Sequence, residues 1–512
     1  MTATRNRLIL VLLILLVFGQ AVSFSFLIYD DPINITKNPI VKSPSLHHLV
    51  TAWERPIQHL YIPVTYTAWI GISSLSHYFF GKLHPGLFHL ANILLHIANS
   101  LLVYGILINV ANKLSENNKQ RTNLAALFAT LIFSLHPVQV ESVVWVTGFK
   151  DLLSAFFFFL ATYILITSPH TAEQGKSWPL KQLAIASGLY LLAILAKPQA
   201  IIFPFFIYIL LKHVLHRNPT KDLISFILLW IITGLLIAFL TKNVQPNPFQ
   251  VSFLQRIHIA ANASLFYISK IIWPHPQLID YGKPLVSQVT SSFPWIAIII
   301  ISLFTVFLYF IRDGKIHITI MILFLVCVAP ILGFIPFNFQ RISIVADRYL
   351  YISLFTLSLF CSIFIKKYFY TTTIFTTISI ICIYAFLSFQ YGAKWRDTVT
   401  LMTYTLGKNP VSKIANQNLG VALMREGKMR ESIPYLKKAI DLVPTDMTTH
   451  FNLALSYACI GNIMAARQEK KMLMNKAPKL GTKLTYILPR IENTCPKKAY
   501  HSVHQRFQPD TK

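Results

Sequence analysis

Residues 8–28 read LILVLLILLVFGQAVSFSFLI, a run that contains no charged side chain. A helix needs about 20 such residues to cross the roughly 30 Å hydrocarbon core of a bilayer. The run follows two arginines and ends in YDD (29–31), whereas a secretory signal has a shorter apolar region and ends in small residues. The stretch therefore predicts an uncleaved first membrane span, with a cleaved signal peptide as the alternative.

The rest of the chain continues this apolar pattern. Of its 512 residues 54% are hydrophobic and only 13% are charged, which leaves too little polar surface to cover a soluble protein of this size. We therefore expect an all-α, polytopic membrane protein with about eleven transmembrane helices. The predicted spans are about 8–28, 86–110, 123–136, 152–168, 183–196, 199–211, 223–241, 293–311, 317–336, 349–365 and 370–390. Two further apolar stretches, 60–80 and 256–274, carry polar residues and are predicted to lie along the membrane surface.

The formal net charge of the chain is +27. Its basic residues are dispersed among loops and tail instead of gathered beside aromatic side chains, so membrane lipid is the expected partner and nucleic acid is not. Short loops rich in lysine and arginine stay cytoplasmic, and with eleven spans every such loop falls on that face. The outer face then receives residues 29–31, 136–151, 196–198, 337–348 and everything after about 391.

A period of 34 residues runs through the C-terminal part of the chain, where Pro410, Pro444 and Pro478 recur at that spacing. This period is typical of the tetratricopeptide repeat (TPR), a helical hairpin that stacks into an α-solenoid. The alternative is a set of unrelated hairpins. The predicted domains are a membrane domain at 1–390, a TPR domain at 391–480 with repeats at about 413–446 and 447–480 after a degenerate half-repeat, and a basic, disordered tail at 481–512.

Two outer loops carry the acidic candidates. Asp30 and Asp31 stand at the outward end of the first span, where a partly dehydrated carboxylate suits a general base. The alternative is a solvent-exposed pair of carboxylates that only marks the end of a helix. The second loop holds four further polar side chains, which are His136, Glu141, Lys150 and Asp151. The alternatives are that His136 only terminates a helix, and that Lys150 and Asp151 form a neutral ion pair with each other.

Basic candidates lie at the outward ends of later spans. Lys197 ends a span at membrane depth, where a lysine either reaches towards water or meets an anion such as a lipid phosphate. Arg348 offers a donor fork that suits phosphate, with Tyr351 close by, although an aromatic belt and a contact to Asp347 would explain the same residues. No metal-ligand set, phosphate loop or serine-nucleophile motif occurs, and His96 is interpreted as a packing or hydrogen-bonding histidine.

Several motifs in order resemble a known family. The stretches are YDDPINITKNPIV, LHPGLFHLANILLHIAN, HPVQVESVVWVTGFKDLL, LAILAKPQA, ADRYLYIS and the repeats that follow WRD. Together they resemble the transmembrane and TPR O-mannosyltransferases and their bacterial relatives, which belong with the protein O-mannosyltransferase-like GT-C glycosyltransferases. The similarity covers about residues 30 to 480.

The resemblance implies a GT-C core that uses a polyprenyl-phosphate sugar as donor and needs no metal or other cofactor. It implies that the acidic pair holds the catalytic base, with Asp30 preferred over Asp31. His136, Glu141, Lys150 and Asp151 match the second-loop motif of the family. Lys197 and Arg348 match basic positions that face the donor phosphate, whereas the family's acidic residue after the lysine is replaced by Gln199.

The predicted function is a membrane glycosyltransferase that moves a sugar, with mannose as the first candidate, to a hydroxyl of an extracytoplasmic protein or glycan. The expected location is the bacterial inner membrane, with periplasmic repeats whose groove presents the acceptor. One alternative is a glycosyltransferase that modifies lipid A or O-antigen. The other is a membrane-anchored repeat scaffold without enzymatic activity.

Overall fold

A computed structural model describes residues 3–58, 60–114, 118–168, 178–244, 252–282, 294–310, 314–334 and 337–492. Within these ranges the chain is helical and forms no β-strand, which confirms the all-α prediction. The chain divides into two compact units. The larger one comprises Met1–Ser25, Asp31–Ile279 and Lys283–Trp395, and the smaller one comprises Phe26–Asp30, Asp280–Gly282 and Arg396–Lys512.

The larger unit contains sixteen α-helices in its described residues, joined by short 3-10 and π turns. They are α1 Ala3–Phe18, α2 Pro39–Lys42, α3 Leu46–Glu54, α4 Pro63–Phe80, α5 Pro85–Leu114, α6 Lys119–Leu135, α7 Gln139–Val144, α8 Phe149–Thr167, α9 Leu180–Ala196, α10 Phe203–Ile209, α11 Lys221–Val244, α12 Phe253–Ile272, α13 Pro294–Phe310, α14 Gly314–Val328, α15 Leu354–Lys367 and α16 Thr371–Gly392.

Six helical segments of the described chain are long and apolar enough to cross a membrane, so the protein is a multi-pass membrane protein. They are Ala3–Ser23, Pro85–Leu114, Val146–Thr167, Lys221–Thr241, Gly314–Ile331 and Thr371–Trp395. The other five predicted spans coincide with shorter helices, and their crossing stays a prediction. The first span ends at Ser23 and not at residue 28, because the helix tightens into a 3-10 turn at Gly19 and the chain is extended from Phe24.

Helix α5 organises the core of the larger unit and packs against α6 and α8. One stripe of this apolar helix is polar and buried, and its side chains hold the backbone of neighbouring elements. Asn92 Nδ2 donates hydrogen bonds to the carbonyls of Val143, at 3.2 Å, and Trp145, at 2.7 Å. Asn99 Nδ2 donates to the carbonyl of Leu152 at 3.0 Å. Since a buried amide is costly unless it is paired, these contacts fix where α7 ends and where α8 begins.

The smaller unit is a succession of helical hairpins. Its helices are α17 Thr398–Lys408, α18 Lys413–Arg425, α19 Met429–Leu442, α20 Met447–Cys459, α21 Ile463–Lys476 and α22 Pro478–Glu492. The helices α18 and α20 begin 34 residues apart, at Lys413 and Met447, which is the period read from the sequence. Side-chain caps start them, because Ser412 accepts from the backbone of Ala415 and Asp446 accepts from that of Thr448.

The predicted tail begins later than expected. Residues 481–492 belong to α22, because Leu484, Ile487 and Leu488 lie on one face of this helix and pack into the core of the hairpins. The remainder of the predicted tail, 493–512, lies outside the described residues, as does Cys495. Cys459 is disulfide-bonded, whereas the described Cys327, Cys361 and Cys382 are free thiols.

Candidate active site

An ion pair joins the second-loop motif to the later ADRYLY motif. Glu141 lies in the first turn of the short helix α7, and Arg348 lies in the 3-10 turn Asp347–Leu350. The Arg348 guanidinium pairs with Glu141 Oε1, and the Arg348 backbone N–H donates to Glu141 Oε2 at 2.9 Å. Both side chains are buried, with 1% of Glu141 and 6% of Arg348 exposed. One carboxylate therefore holds both the charge and the backbone of the facing arginine.

Aromatic rings surround this arginine. The guanidinium carbon lies 4.3 Å from the ring centroid of Phe339, 4.8 Å from that of Tyr349 and 5.5 Å from that of Trp145. Cation–π contacts of this kind favour a charged guanidinium in a place with little water. They keep the plane of the Arg348 side chain in position beside Glu141.

A second ion pair joins Lys197 to Asp151. Asp151 lies in the first turn of α8, where the positive end of the helix dipole favours a carboxylate. Lys197 follows the end of α9 with an extended backbone, because Pro198 disfavours the helical conformation at the residue before it. The lysine thus leaves the helix and turns towards α8. Burial lowers the pKa of the Lys197 ammonium, although the Asp151 carboxylate acts in the opposite direction.

One small cavity is lined by both members of the Lys197–Asp151 pair and by Arg348 of the other pair. Its lining brings together α8, the turn after α9 and the Asp347–Leu350 turn with the two residues after it, which lie far apart in the sequence. The polar lining residues are Asp151, Ser154, Lys197, Gln199, Arg348 and Tyr351. Four predicted site residues, Asp151, Lys197, Arg348 and Tyr351, therefore meet at one place.

Tyr351 is held by two residues of the polar stripe on α5. His96 Nε2 lies 3.0 Å from the Ser134 carbonyl, which can only accept, so this nitrogen carries the proton. The other nitrogen, Nδ1, then accepts from the Tyr351 hydroxyl at 2.8 Å, and Asn99 Nδ2 donates to the same hydroxyl at 3.0 Å. The interpretation of His96 as a hydrogen-bonding histidine is confirmed.

Asp31 is completely buried against the second-loop motif. The Thr147 hydroxyl donates to Asp31 Oδ1 at 2.7 Å. Thr147 can take this position because Gly148, next in the chain, lies so close to the Ser142 carbonyl that a Cβ atom there would be 2.4 Å from its oxygen. Asp30 is partly buried and belongs to the short segment Phe26–Asp30 of the smaller unit.

The two remaining predicted site residues do not line the cavity. His136 is completely buried, its Nδ1 accepts from the Val138 backbone at 3.2 Å, and its Nε2 donates to the Ile271 carbonyl at 3.2 Å. Both nitrogens are thus used to hold backbone. Lys150 is partly buried and places its ammonium 5.4 Å from the ring centroid of Trp145. The ion-pair partner that the structure shows for Asp151 is Lys197.

Sequence reasoning missed several residues around the cavity. Gln199 was noted only as a departure from the family, yet its Nε2 donates to the Tyr349 carbonyl at 3.0 Å and it lines the cavity. Ser154 lies one helical turn after Asp151, and this spacing could have identified it as a neighbour on the same face of α8. Asn99 carried a weaker signal, as a polar residue within an apolar span.

Comparison with known proteins gives two long, distant matches and shorter ones of higher identity. Protein O-mannosyl-transferase F38B6.6 of Caenorhabditis elegans is 25% identical over 468 residues, which are 86% of this chain and 63% of that protein. Protein O-mannosyl-transferase TMTC3 of Homo sapiens is 23% identical over 451 residues, 79% of this chain and 47% of its own length. Protein O-mannosyl-transferase TMTC4 of Mus musculus is 42% identical over 91 residues, 17% of this chain and 12% of its own length.

No protein-family model matches the chain. The chain spans less than two thirds of each of these relatives, at 63% of the nematode protein and 47% of the human TMTC3. The two long matches nevertheless cover 86% and 79% of this chain. The family resemblance seen in the sequence is thereby confirmed: over most of its length this chain is similar to the protein O-mannosyl-transferases.

Proposed function

We propose that this protein is a membrane glycosyltransferase that transfers a sugar from a polyprenyl-phosphate donor to a hydroxyl of a protein acceptor. The names of the similar proteins support the reaction type and the protein acceptor. The set of apolar helices supports a donor that is itself dissolved in the membrane, since a lipid-linked sugar reaches a membrane-embedded site without crossing water. Mannose is the first sugar to test.

The observation that carries the proposal is the convergence of two ion pairs on one cavity. Glu141–Arg348 and Lys197–Asp151 bring acid, base and hydrogen-bonding groups together from three separated segments. Buried ion pairs contribute little net stability, because the cost of removing both charges from water offsets their attraction. Such pairs around a cavity are therefore more easily explained by ligand chemistry than by folding.

In the proposed reaction the acceptor hydroxyl attacks the anomeric carbon of the donor sugar. The bond from that carbon to the phosphate oxygen breaks, and the phosphate leaves with the electron pair. A carboxylate takes the hydroxyl proton, and Asp30 is proposed for this task. Asp31 instead accepts a hydrogen bond from Thr147 and is proposed to anchor the second loop.

The remaining features of the proposal follow from the resemblance and the charge pattern. The membrane unit would adopt a GT-C core that inverts the anomeric centre without a metal or other cofactor. The basic side chains Lys150, Lys197 and Arg348 would attract the lipid phosphate to this side of the unit. The repeats would bind the acceptor outside the cytoplasm, in the periplasm if the chain lies in a bacterial inner membrane.

Separate Asp30→Asn and Asp31→Asn variants test the proposal. The purified full-length protein in detergent receives radiolabelled polyprenyl-phosphate mannose and a Ser/Thr-rich acceptor protein, and the labelled protein is counted. We expect the Asp30→Asn rate to fall about 10²- to 10⁴-fold, the usual contribution of a general base. Asp222→Asn, an exposed acid in the first turn of α11, is the control that keeps the wild-type rate.

Full activity in both the Asp30 and Asp31 variants would refute the proposed mechanism. Wild-type protein without transfer from any lipid-linked sugar would refute the glycosyltransferase function itself.

A further inference from the structure

The segment that carries Asp30 is bound by the first helix of the smaller unit. The backbone N–H of Ile28 donates a hydrogen bond to the Thr398 hydroxyl oxygen at 2.9 Å, across 370 residues of sequence. Ile28 belongs to the segment Phe26–Asp30, which lies in the same compact unit as Thr398. Thr398 is the first residue of α17, the helix that precedes the two repeats. This helix therefore holds a stretch of chain from the outward end of the first span.

The start of α17 does not need the Thr398 hydroxyl. Asp397 is the N-cap residue, and its Oδ1 accepts from the Thr400 backbone N–H at 2.8 Å. The Thr400 hydroxyl and the Arg396 side chain both donate to Asp397 Oδ2 at 3.0 Å, which fixes this turn. Thr398 is buried beside it. Its hydroxyl is thus held in place and serves another segment instead of its own helix.

The bound segment has no helix or strand of its own, so its backbone groups need partners from elsewhere. Leu27 and Tyr29 are buried, whereas Phe26 and Ile28 are only partly buried. This alternation is typical of an extended chain that lays one face on a core. The Thr398 hydroxyl supplies the partner that the Ile28 amide requires, and so it fixes the segment along its length as well as against the core.

This contact restricts the backbone close to the proposed base. Asp30 follows Ile28 by two residues, at most about 7 Å along an extended chain. The next residue, Asp31, accepts its own hydrogen bond from Thr147. The chain is therefore anchored both before and after Asp30. A general base must lie within hydrogen-bond reach of the proton that it removes, and a misplacement of about 1 Å can reduce a rate about 10²-fold.

We propose that Thr398 is a positioning residue that holds the Asp30 segment in the place where this carboxylate takes the acceptor proton. The unit that contains the repeats then has a second role besides binding the acceptor, because its first helix supports the catalytic group. The inference rests on the proposed function for the role of Asp30. It implies that Thr398 is needed even when the acceptor is a peptide too short to occupy the repeats.

Three variants separate this contact from general effects on the helix. Thr398→Val keeps the shape of the side chain but cannot accept the hydrogen bond, whereas Thr398→Ser keeps the hydroxyl. Thr405→Val is the matched control, because Thr405 is a buried threonine of the same helix. Its hydroxyl donates to the Leu401 carbonyl at 2.9 Å, so the same substitution there removes a bond within α17.

Hydrogen exchange of the full-length protein in detergent, read by mass spectrometry, tests the contact without donor or acceptor. In Thr398→Val the amides of residues 26–30 should exchange about 2- to 10-fold faster than in wild type, the net effect of one lost hydrogen bond. Thr398→Ser and Thr405→Val should exchange like wild type. Unchanged exchange in Thr398→Val would show that the hydroxyl does not hold the segment, which overturns the inference.

Mannose transfer from the lipid donor to a short Ser/Thr peptide tests the role in the reaction, with the rate expressed per folded protein. We expect kcat of Thr398→Val to fall about 10- to 100-fold while both KM values stay within about twofold, because the base is displaced and the substrate contacts are kept. Thr398→Ser should restore most of the rate. Thr405→Val should keep the wild-type rate.

Three kinetic results would contradict the inference. An unchanged kcat in Thr398→Val, or an equal loss in Thr405→Val, would make the contact merely structural. A raised KM with unchanged kcat would assign Thr398 to substrate binding. If wild-type protein transfers no sugar, the proposed function fails and the catalytic role of Thr398 fails with it, whereas the exchange measurement still decides whether Thr398 holds the segment.

Discussion

Replacing Gly148 by alanine is expected to disturb the candidate site without touching any of its charged residues. The backbone of Gly148 has φ −63° and ψ −14°, which any residue adopts, so the demand for glycine is purely steric. A Cβ atom there would lie 2.4 Å from the Ser142 carbonyl oxygen and 2.9 Å from its carbon. Both are backbone atoms of the loop that carries Glu141.

The size of the effect follows from this geometry. Ordinary contacts of a Cβ atom begin at 3.4 Å, so the two backbone segments must separate by about 1 Å. Overpacking of this kind costs about 1–3 kcal/mol of stability. A displacement of about 1 Å in a residue that supports a site can reduce a rate about 10²-fold. Because Ser142 follows Glu141 directly, the Glu141–Arg348 pair should shift with it.

Thermal unfolding in detergent and the mannose-transfer rate together test this expectation. Gly71→Ala is the matched control, because Gly71 is an exposed residue of α4 whose added Cβ would meet no atom within 4 Å. Alanine at such a position should be neutral or stabilise by up to about 1 kcal/mol. If Gly148→Ala unfolds and reacts like Gly71→Ala, the close approach of the two segments is not a constraint and the reasoning fails.

Three further predictions concern single contacts. Glu141→Gln leaves the Arg348 charge buried without its partner and should destabilise by about 3–5 kcal/mol, read as a lower unfolding temperature, whereas an unchanged temperature would show that the pair is not buried in solution. Gly420→Ala places a Cβ 2.7 Å from a leucine of the next helix and should cost about 1–3 kcal/mol, read as faster amide exchange in α18; unchanged exchange would contradict the close packing. Asp446 caps α20, and although burial acts to raise its pKa, Lys413 and the cap hydrogen bonds lower it overall. Its stabilisation should therefore be present above about pH 4 and be lost as the pH falls below that value. Asp446→Asn keeps a capping oxygen but loses the ion pair with Lys413, so it should cost about 0.2–1 kcal/mol at pH 7 and flatten the pH dependence of unfolding; equal pH profiles would refute this.

Residue types and spacing identified most members of the candidate site. Asp151, Lys197 and Arg348 stood out as charges at the ends of apolar spans, where a charge is costly and usually has a task. Their partners could not be read in the same way. One alternative paired Asp151 with its neighbour Lys150, but the first turn of α8 directs its carboxylate towards Lys197, 46 residues later. Pairing across such distances depends on how the helices pack.

The buried histidine of the second loop shows the opposite difficulty. In the sequence His136 has the features expected of a catalytic residue, since it is polar, lies at a span end and belongs to a motif with charged residues. In the structure it holds the backbone of Val138 and Ile271 with both ring nitrogens. Residue identity cannot separate a histidine that binds a ligand from one that satisfies backbone, because the same two nitrogens serve either purpose.

The helical, membrane-spanning character of this chain is determined by its sequence alone, because the cost of burying backbone and charge in lipid acts on every apolar run whatever its neighbours are. The 34-residue period of the C-terminal helices follows in the same way from a local, repeated pattern. Only the tertiary structure decided which charges neutralise each other, and that one oxygen of Asp151 is buried without a hydrogen-bond partner among the described residues. Those facts depend on the packing of segments more than 40 residues apart. Electrostatic interactions depend on the distance between charges in space, which the sequence does not give.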